Sequence, residues 1–318
     1  MSLSWGNKIM DRLKKILSTE EWTALNLRAL YAENGYEKYR MSKFEEYDLY
    51  ARNKDFLVSD SVITFTDTDG KLLALKPDVT LSIIKNANPQ AGKAMKVYYH
   101  ENVYRVSKGT RAYKELAQAG LECLGDVSEE DLAEVVYLAA KSLDTVSNRN
   151  VLELSELTVV DGVLYYCGLD ADARQALWAR LAEKNLAGVQ EIAKCAGMSE
   201  MKASLLEKLV TTYGSADAVL PKLDVFRVNE ETAKAVDSFK ALILSLQARG
   251  VGEKLRIDFS VLGDMNYYNG LAFKGFVEGL PTWILSGGRY DKLMAKMGKQ
   301  GKAVGFAVYL DEIAKLKA

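Results

Sequence analysis

The stretch from Val97 to Glu122, VYYHENVYRVSKGTRAYKELAQAGLE, decides the fold. It opens as a β-rich run, breaks at the polar loop Ser107-Lys108-Gly109-Thr110, and resumes toward an apolar end. That pattern predicts a strand–loop–strand hairpin. Arg105 closes the first strand, and Lys108, Arg111 and Lys114 crowd the loop. Gln118 and Glu122 stand four apart on the return strand, so the period of two along a strand puts both on one face. A face that carries an arginine, an amide and a carboxylate can grip a zwitterion or a phosphate.

Working outward, Val62–Thr66 reads as a strand, Asp67-Thr68-Asp69-Gly70 as a turn, and Lys71–Leu75 as its hairpin partner. Pro77 and Asp78 form a loop ahead of a helix from Thr80 to Asn86. Toward the N-terminus, Ile9, Leu13, Ile16 and Leu17 recur at helical spacing within one or two helices from Trp5 to Asn34. Past the hairpin, Ser128 starts a helix with Glu129, Glu130 and Asp131 in its first turn, the side that the helix dipole favours for acids. Val151–Val159 is expected as a strand. From Asp170 to about Gly250 the texture is helix after helix, rich in Ala, Leu, Lys and Glu. β texture returns at Leu255–Phe259 and continues through Tyr267-Tyr268, Phe273–Val277 and Trp283–Leu285, followed by a helix over Asp291–Met297, a strand over Ala303–Val308 and a final helix from Asp311. Strand runs with segregated helices predict an α+β fold with a largely antiparallel sheet. The core comprises residues 1–168 and 251–318, with an inserted helical subdomain at 169–250.

With 318 residues, 48% of them hydrophobic, the chain can bury one large core. Its 42 basic and 43 acidic residues give a net charge of -1, which argues against a dedicated nucleic-acid binder. Cys123, Cys167 and Cys195 match no zinc or disulfide spacing, and an odd count of three fits a reduced, cytoplasmic protein. No run of about 18 apolar residues predicts a membrane span, and the N-terminus lacks a signal-peptide core. His100 is the single histidine, which excludes histidine dyads and multi-histidine metal sites. No metal and no cofactor are expected.

Four segments, in order, resemble the catalytic core of histidyl-tRNA synthetases, which are class II aminoacyl-tRNA synthetases. Leu75-Lys76-Pro77-Asp78-Val79-Thr80 is similar to the family's Leu-Arg-Pro-Glu-Gly-Thr, and the hairpin, with its arginine and its Gln-x-x-x-Glu, is similar to motif 2. Asn266-Tyr267-Tyr268-Asn269-Gly270 is similar to Asp-Tyr-Tyr-Thr-Gly, and Gly287-Gly288-Arg289-Tyr290-Asp291 with Ala303–Ala307 to the run into motif 3. One such match is weak, but four in order are strong. The resemblance implies a class II synthetase-like antiparallel sheet flanked by helices. It assigns Asp78, Thr80 and Gln118 to an α-amino group, Glu122, Tyr267 and Tyr268 to an imidazole, and Arg105 to a carboxylate and phosphate. A carboxylate can accept from an imidazole N–H, which gives histidine selectivity a physical basis.

The activating groups depart from the family pattern. An arginine position falls at Gly263, the motif 3 arginine at Glu312 and the motif 2 loop glutamate at Ser107; a tyrosine, Tyr309, replaces a glycine of motif 3. Adenylation relies on cations placed around the phosphates, and a carboxylate there would repel them. No anticodon-binding domain is expected in the sequence through Ala318. These departures resemble the regulatory subunits of short-form ATP phosphoribosyltransferases. That resemblance implies a chain with no catalytic residues of its own, needed for the activity of a separate catalytic subunit, and mediating feedback inhibition by histidine in the first step of histidine biosynthesis. It also implies a self-dimer within a hetero-octamer. Motif 1 is weak, with Ser42 where the family has proline ahead of Phe44-Glu45. One alternative is a synthetase-like enzyme that activates an amino acid for a non-tRNA acceptor; another is a paralogue that binds tRNA-like structures.

Overall fold

The computed structural model describes residues 12–13, 15–54, 57, 62–107, 110–263 and 267–316; Trp5, Ile9, Lys108, Gly109 and Asn266 lie outside the described residues. The hairpin dominates it. Strands β5 (Ala94–Val106) and β6 (Tyr113–Gly125) pair over 13 residues each, setting Val97 opposite Glu122 and Glu101 opposite Gln118. Ahead of them come α1 (Thr19–Glu33), β1 (Glu37–Lys38), β2 (Phe44–Glu46), α2 (Tyr47–Ala51), β3 (Thr64–Thr66), β4 (Leu72–Leu75) and α3 (Val79–Asn86). After them come α4 (Glu129–Asp144), β7 (Asn150–Glu156), α5 (Leu157–Cys167), α6 (Ala171–Ala182), α7 (Leu186–Cys195), α8 (Glu200–Thr211), β8 (Tyr213–Ser215), α9 (Ala216–Val219) and α10 (Glu230–Ala248). The chain closes with β9 (Leu255–Asp258), β10 (Leu271–Val277), β11 (Leu285–Arg289), α11 (Asp291–Lys296), β12 (Lys302–Tyr309) and α12 (Leu310–Ile313).

Nine strands form one sheet in the order β1-β5-β6-β12-β11-β10-β7-β9-β8, and β2-β4-β3 form a small second sheet. Among the described residues, only β1–β5 and β7–β9 are parallel. The sheet is therefore largely antiparallel, as an α+β reading requires. Alternation divides each strand between two apolar layers. Ala119, Leu121 and Cys123 of β6 join Val304, Phe306 and Val308 of β12 in the layer under α1, α4, α5 and α10. Tyr99, Val103 and Leu124 face the opposite layer, with Leu81, Ile84, Tyr290 and Leu293. Each buried Val, Leu, Ile or Phe among them contributes about 1.5–3 kcal/mol relative to exposure. Helix starts are fixed by side-chain caps: Ser18 with Glu21 for α1, Ser128 with Asp131 for α4, and Asp78 accepting from the Leu81 N–H at 2.9 Å for α3.

Three expected elements differ. The strand placed over Val151–Val159 ends at Glu156, and Leu157–Cys167 is helix. Glu156 accepts from the Thr158 N–H, and Gly168, in the left-handed region at φ 78°, ends the helix. Burial of Val159, Val160 and Val163 against the sheet outweighs their β preference. Tyr267-Tyr268 is not strand; β10 starts at Leu271, after Gly270 turns the chain at φ 83°. The strand expected at Trp283–Leu285 instead runs through Gly287 and Gly288 to Arg289. The helices from 171 to 248 share one buried apolar cluster with the large sheet, and β8 among them pairs with β9.

Candidate amino-acid site

The hairpin face carrying Gln118 and Glu122 forms the floor of a cavity of about 280 Å³. Strand β12 lies against this floor, with Gly305 opposite Glu122 and Tyr309 opposite Gln118. Gly305 is required there, because a Cβ would overlap the Glu122 carboxylate and crowd the Leu121 carbonyl. Glu122 is 2% exposed, so a surface strand charge is excluded. One carboxylate oxygen accepts from the Thr80 hydroxyl at 2.6 Å and the other from the Tyr290 hydroxyl. Burial pushes its carboxyl up to about 8, opposed by the two hydroxyls and assisted by the charge of Asp78.

Asp78 serves two purposes. It caps α3, and it lines the cavity. Burial raises its carboxyl above the ordinary range, opposed by the Leu81 and Thr80 backbone N–H groups and by Arg105. Arg105 donates its Nε–H to the Pro77 carbonyl at 2.9 Å, which locks the arginine to the loop that presents Asp78. Gln118 is 4% exposed, lines the cavity, and makes no side-chain hydrogen bond to a described residue. Tyr267 and Tyr268 stack edge to face with centroids 4.8 Å apart and form the wall above Glu122. Their hydroxyls are held neutral by burial.

All seven residues singled out from the sequence, Asp78, Thr80, Arg105, Gln118, Glu122, Tyr267 and Tyr268, thus converge on one cavity. The set offers a guanidinium for a carboxylate, an aspartate and an amide for an ammonium, and a buried acid between aromatic walls for a polar heterocycle. Further wall residues, among them Tyr290, Ser286, Lys274 and Trp283, lack an assigned role in the sequence reading. Tyr290 binds Glu122, and Ser286 bonds Tyr309 through their hydroxyls at 2.6 Å. Lys274 sits 4.0 Å above the Trp283 ring, and burial lowers its ammonium pKa against the pull of Glu153. Tyr290 falls inside a quoted motif; the Lys274–Trp283 contact joins a strand to the following loop and leaves no periodic signal.

Gly263 lines the cavity at φ 57°, and a Cβ there would lie 2.6 Å from Tyr268 Cδ2. Glu312, expected to face phosphates, is not among the cavity-lining residues and pairs with Lys315 at 2.6 Å through both oxygens. Its repulsion is therefore smaller than the sequence alone implies. His100 is exposed and away from the cavity. Among the described residues no group of His, Cys, Asp and Glu could hold a metal ion, and no helix is long and apolar enough to cross a membrane.

A hairpin-centred, largely antiparallel sheet with the arginine of the motif 2-like hairpin lining a buried cavity defines a class II aminoacyl-tRNA synthetase-like protein. The family model described as histidyl-tRNA synthetase matches residues 8–313. The chain therefore belongs to the histidyl-tRNA synthetase family. An ATP phosphoribosyltransferase regulatory subunit from Acetivibrio thermocellus is 26% identical over 97% of this chain and 76% of that protein. A solved ATP phosphoribosyltransferase regulatory subunit/histidyl-tRNA synthetase from Bacillus halodurans superposes with a TM-score of 0.83 at 24% identity, over 93% of this chain and 78% of that one. A chain of the ATP phosphoribosyl transferase (HisG:HisZ) complex from Thermotoga maritima superposes with a TM-score of 0.70 at 18% identity, over 91% and 96%.

Proposed function

We propose that this chain is the regulatory subunit of a short-form ATP phosphoribosyltransferase, acting in the first step of histidine biosynthesis. It assembles in the cytoplasm as a self-dimer with a separate catalytic chain, which needs it for activity, in a hetero-octamer. Its cavity binds histidine as effector: Arg105 takes the carboxylate, Asp78, Thr80 and Gln118 the ammonium, and Glu122 the imidazole between Tyr267 and Tyr268. Feedback inhibition then requires only that histidine bind one state of the assembly better than another. The regulatory names of the relatives support the reading. In this reading the residues at 1–168 and 251–318 form the effector-binding core, with 169–250 inserted into it.

The single observation that carries the proposal is the contrast within one cavity. The amino-acid groups converge on it, while Gly263, where the family places an arginine, has a left-handed backbone and a neighbour, Tyr268, that disfavour a side chain. Adenylate formation without that cation is disfavoured. A second reading, an enzyme that activates an amino acid for a non-tRNA acceptor, is favoured by the two cations Arg105 and Lys274 that still line the cavity. Two assays decide. Added to a short-form catalytic chain, this protein should raise ATP phosphoribosyltransferase activity, and histidine should lower it again. ATP–pyrophosphate exchange should be absent; histidine-dependent exchange would overturn the regulatory reading.

A further inference from the structure

The amino-acid cavity is lined by two cations, and the amino-acid reading uses one of them. Arg105 stands on β5 and Lys274 on β10, four strand-to-strand steps apart in the large sheet. Steps of about 4.8 Å put the two backbones roughly 19 Å apart across the sheet. Both side chains nevertheless line the same cavity, so they enter it from different sides. On the side of Lys274, strand register sets the wall. Ala307 of β12 lies opposite Ser286 of β11, and Ser286 lies opposite Lys274 of β10. Directly opposed residues share a face of the sheet, so two small side chains lead up to one long cationic one.

Lys274 is half-buried, and its ammonium sits over the Trp283 ring. The ring meets the ammonium on one side and leaves N–H groups free to donate elsewhere. Glu153, opposite Lys274 on β7, attracts the ammonium without forming an ion pair, and it is not among the cavity-lining residues. Ser286 and Tyr309 line the same wall with their hydroxyls bonded to each other. That pair carries two protons and uses one in its own bond, so one O–H remains to donate to a ligand. An ammonium and a hydroxyl donor on one wall suit an oxyanion, whose bonds to a cation are the stronger kind.

We propose that Lys274, with the Ser286–Tyr309 hydroxyl pair, forms an oxyanion subsite of this cavity, for a small phosphate-type anion held apart from the amino-acid carboxylate at Arg105. The subsite rests on the amino-acid reading only for the role of Arg105, and its main test is made without histidine. Inorganic phosphate is titrated into the full chain by calorimetry at constant ionic strength. Saturable binding is expected, and its affinity should fall about tenfold or more in Lys274→Met, the loss expected for one charge-assisted hydrogen bond. Lys274→Arg keeps the charge and should retain most of the binding. Ser286→Ala removes only a hydroxyl and should give a smaller loss, which keeps the test open should Lys274→Met fail to fold by circular dichroism. Absence of saturable phosphate binding, or equal affinity in the wild type and the variants, which marks an adventitious ion only, would overturn the proposal. Parallel titrations of L-histidine and of histamine, which lacks the carboxylate, fix the source of the anion. Lys274→Met should affect the two alike. A loss for L-histidine that is absent for histamine would put the amino acid's own carboxylate on Lys274 and so overturn a separate subsite. Failure of the wild-type chain to bind L-histidine would count against the amino-acid reading and leave the phosphate result standing.

Discussion

Glu122 holds its proton in the folded chain and releases it in the unfolded one over the window from the ordinary glutamate value of 4.5 up to about 8. In that window the native state binds more protons, so the contribution of Glu122 to stability is full below pH 4.5 and is lost as pH rises toward 8. Glu122→Gln is neutral throughout and keeps an acceptor for Thr80. The unfolding free energy of the variant relative to the wild type, from urea denaturation, should rise progressively from pH 5 toward pH 8, by an amount on the order of a few kcal/mol; a difference that is flat with pH would contradict this. Asp78 separates its two tasks by substitution. Asp78→Ser keeps a capping oxygen and should leave urea denaturation nearly unchanged, whereas Asp78→Ala should cost about 0.5–2 kcal/mol. Both should weaken amino-acid binding, because both remove the carboxylate. These two acids were legible in the sequence because strand alternation and the Pro-Asp-x-Thr loop carry local signals. Tyr99 was not, since its hydroxyl reaches the cavity through the Gly120 opening on the neighbouring strand.

At the scale of elements, strand β12 lies beside β6 in the sheet, and Gly305, having no side chain, leaves the space above it to the Glu122 carboxylate. Gly305→Ala should displace the Glu122 carboxylate and destabilise the fold by about 1–3 kcal/mol, the usual result of forcing extra volume into a packed site. Amino-acid binding should be lost in the same variant, and calorimetry on a sample shown to be folded by circular dichroism separates the two effects. The hairpin was readable because both of its strands are contiguous and alternate, with the break between them. The β7–α5 junction was not, since Val151–Val159 is β-branched on both sides of it and the decisive cap, Glu156 on the Thr158 N–H, is a single hydrogen bond. The start of β10 was likewise hidden behind Tyr267-Tyr268, whose bulk suggests strand but fills the cavity wall instead.

For the molecule as a whole, the strand order is where sequence reading stops. β12, near the C-terminus, inserts between β6 and β11 and so joins segments about 180 residues apart. No local periodicity encodes that pairing; it follows from burying the two apolar faces of one sheet. The same arrangement brings Gly263, Tyr290 and the hairpin to one cavity, which makes the account testable as a unit. The most direct measurement is a calorimetric titration of L-histidine into this chain assembled with a short-form catalytic chain. The account predicts saturable binding that weakens at least tenfold, about 1.4 kcal/mol, in Glu122→Gln. Absence of binding to the wild-type assembly, or undiminished binding in the variant, would contradict it.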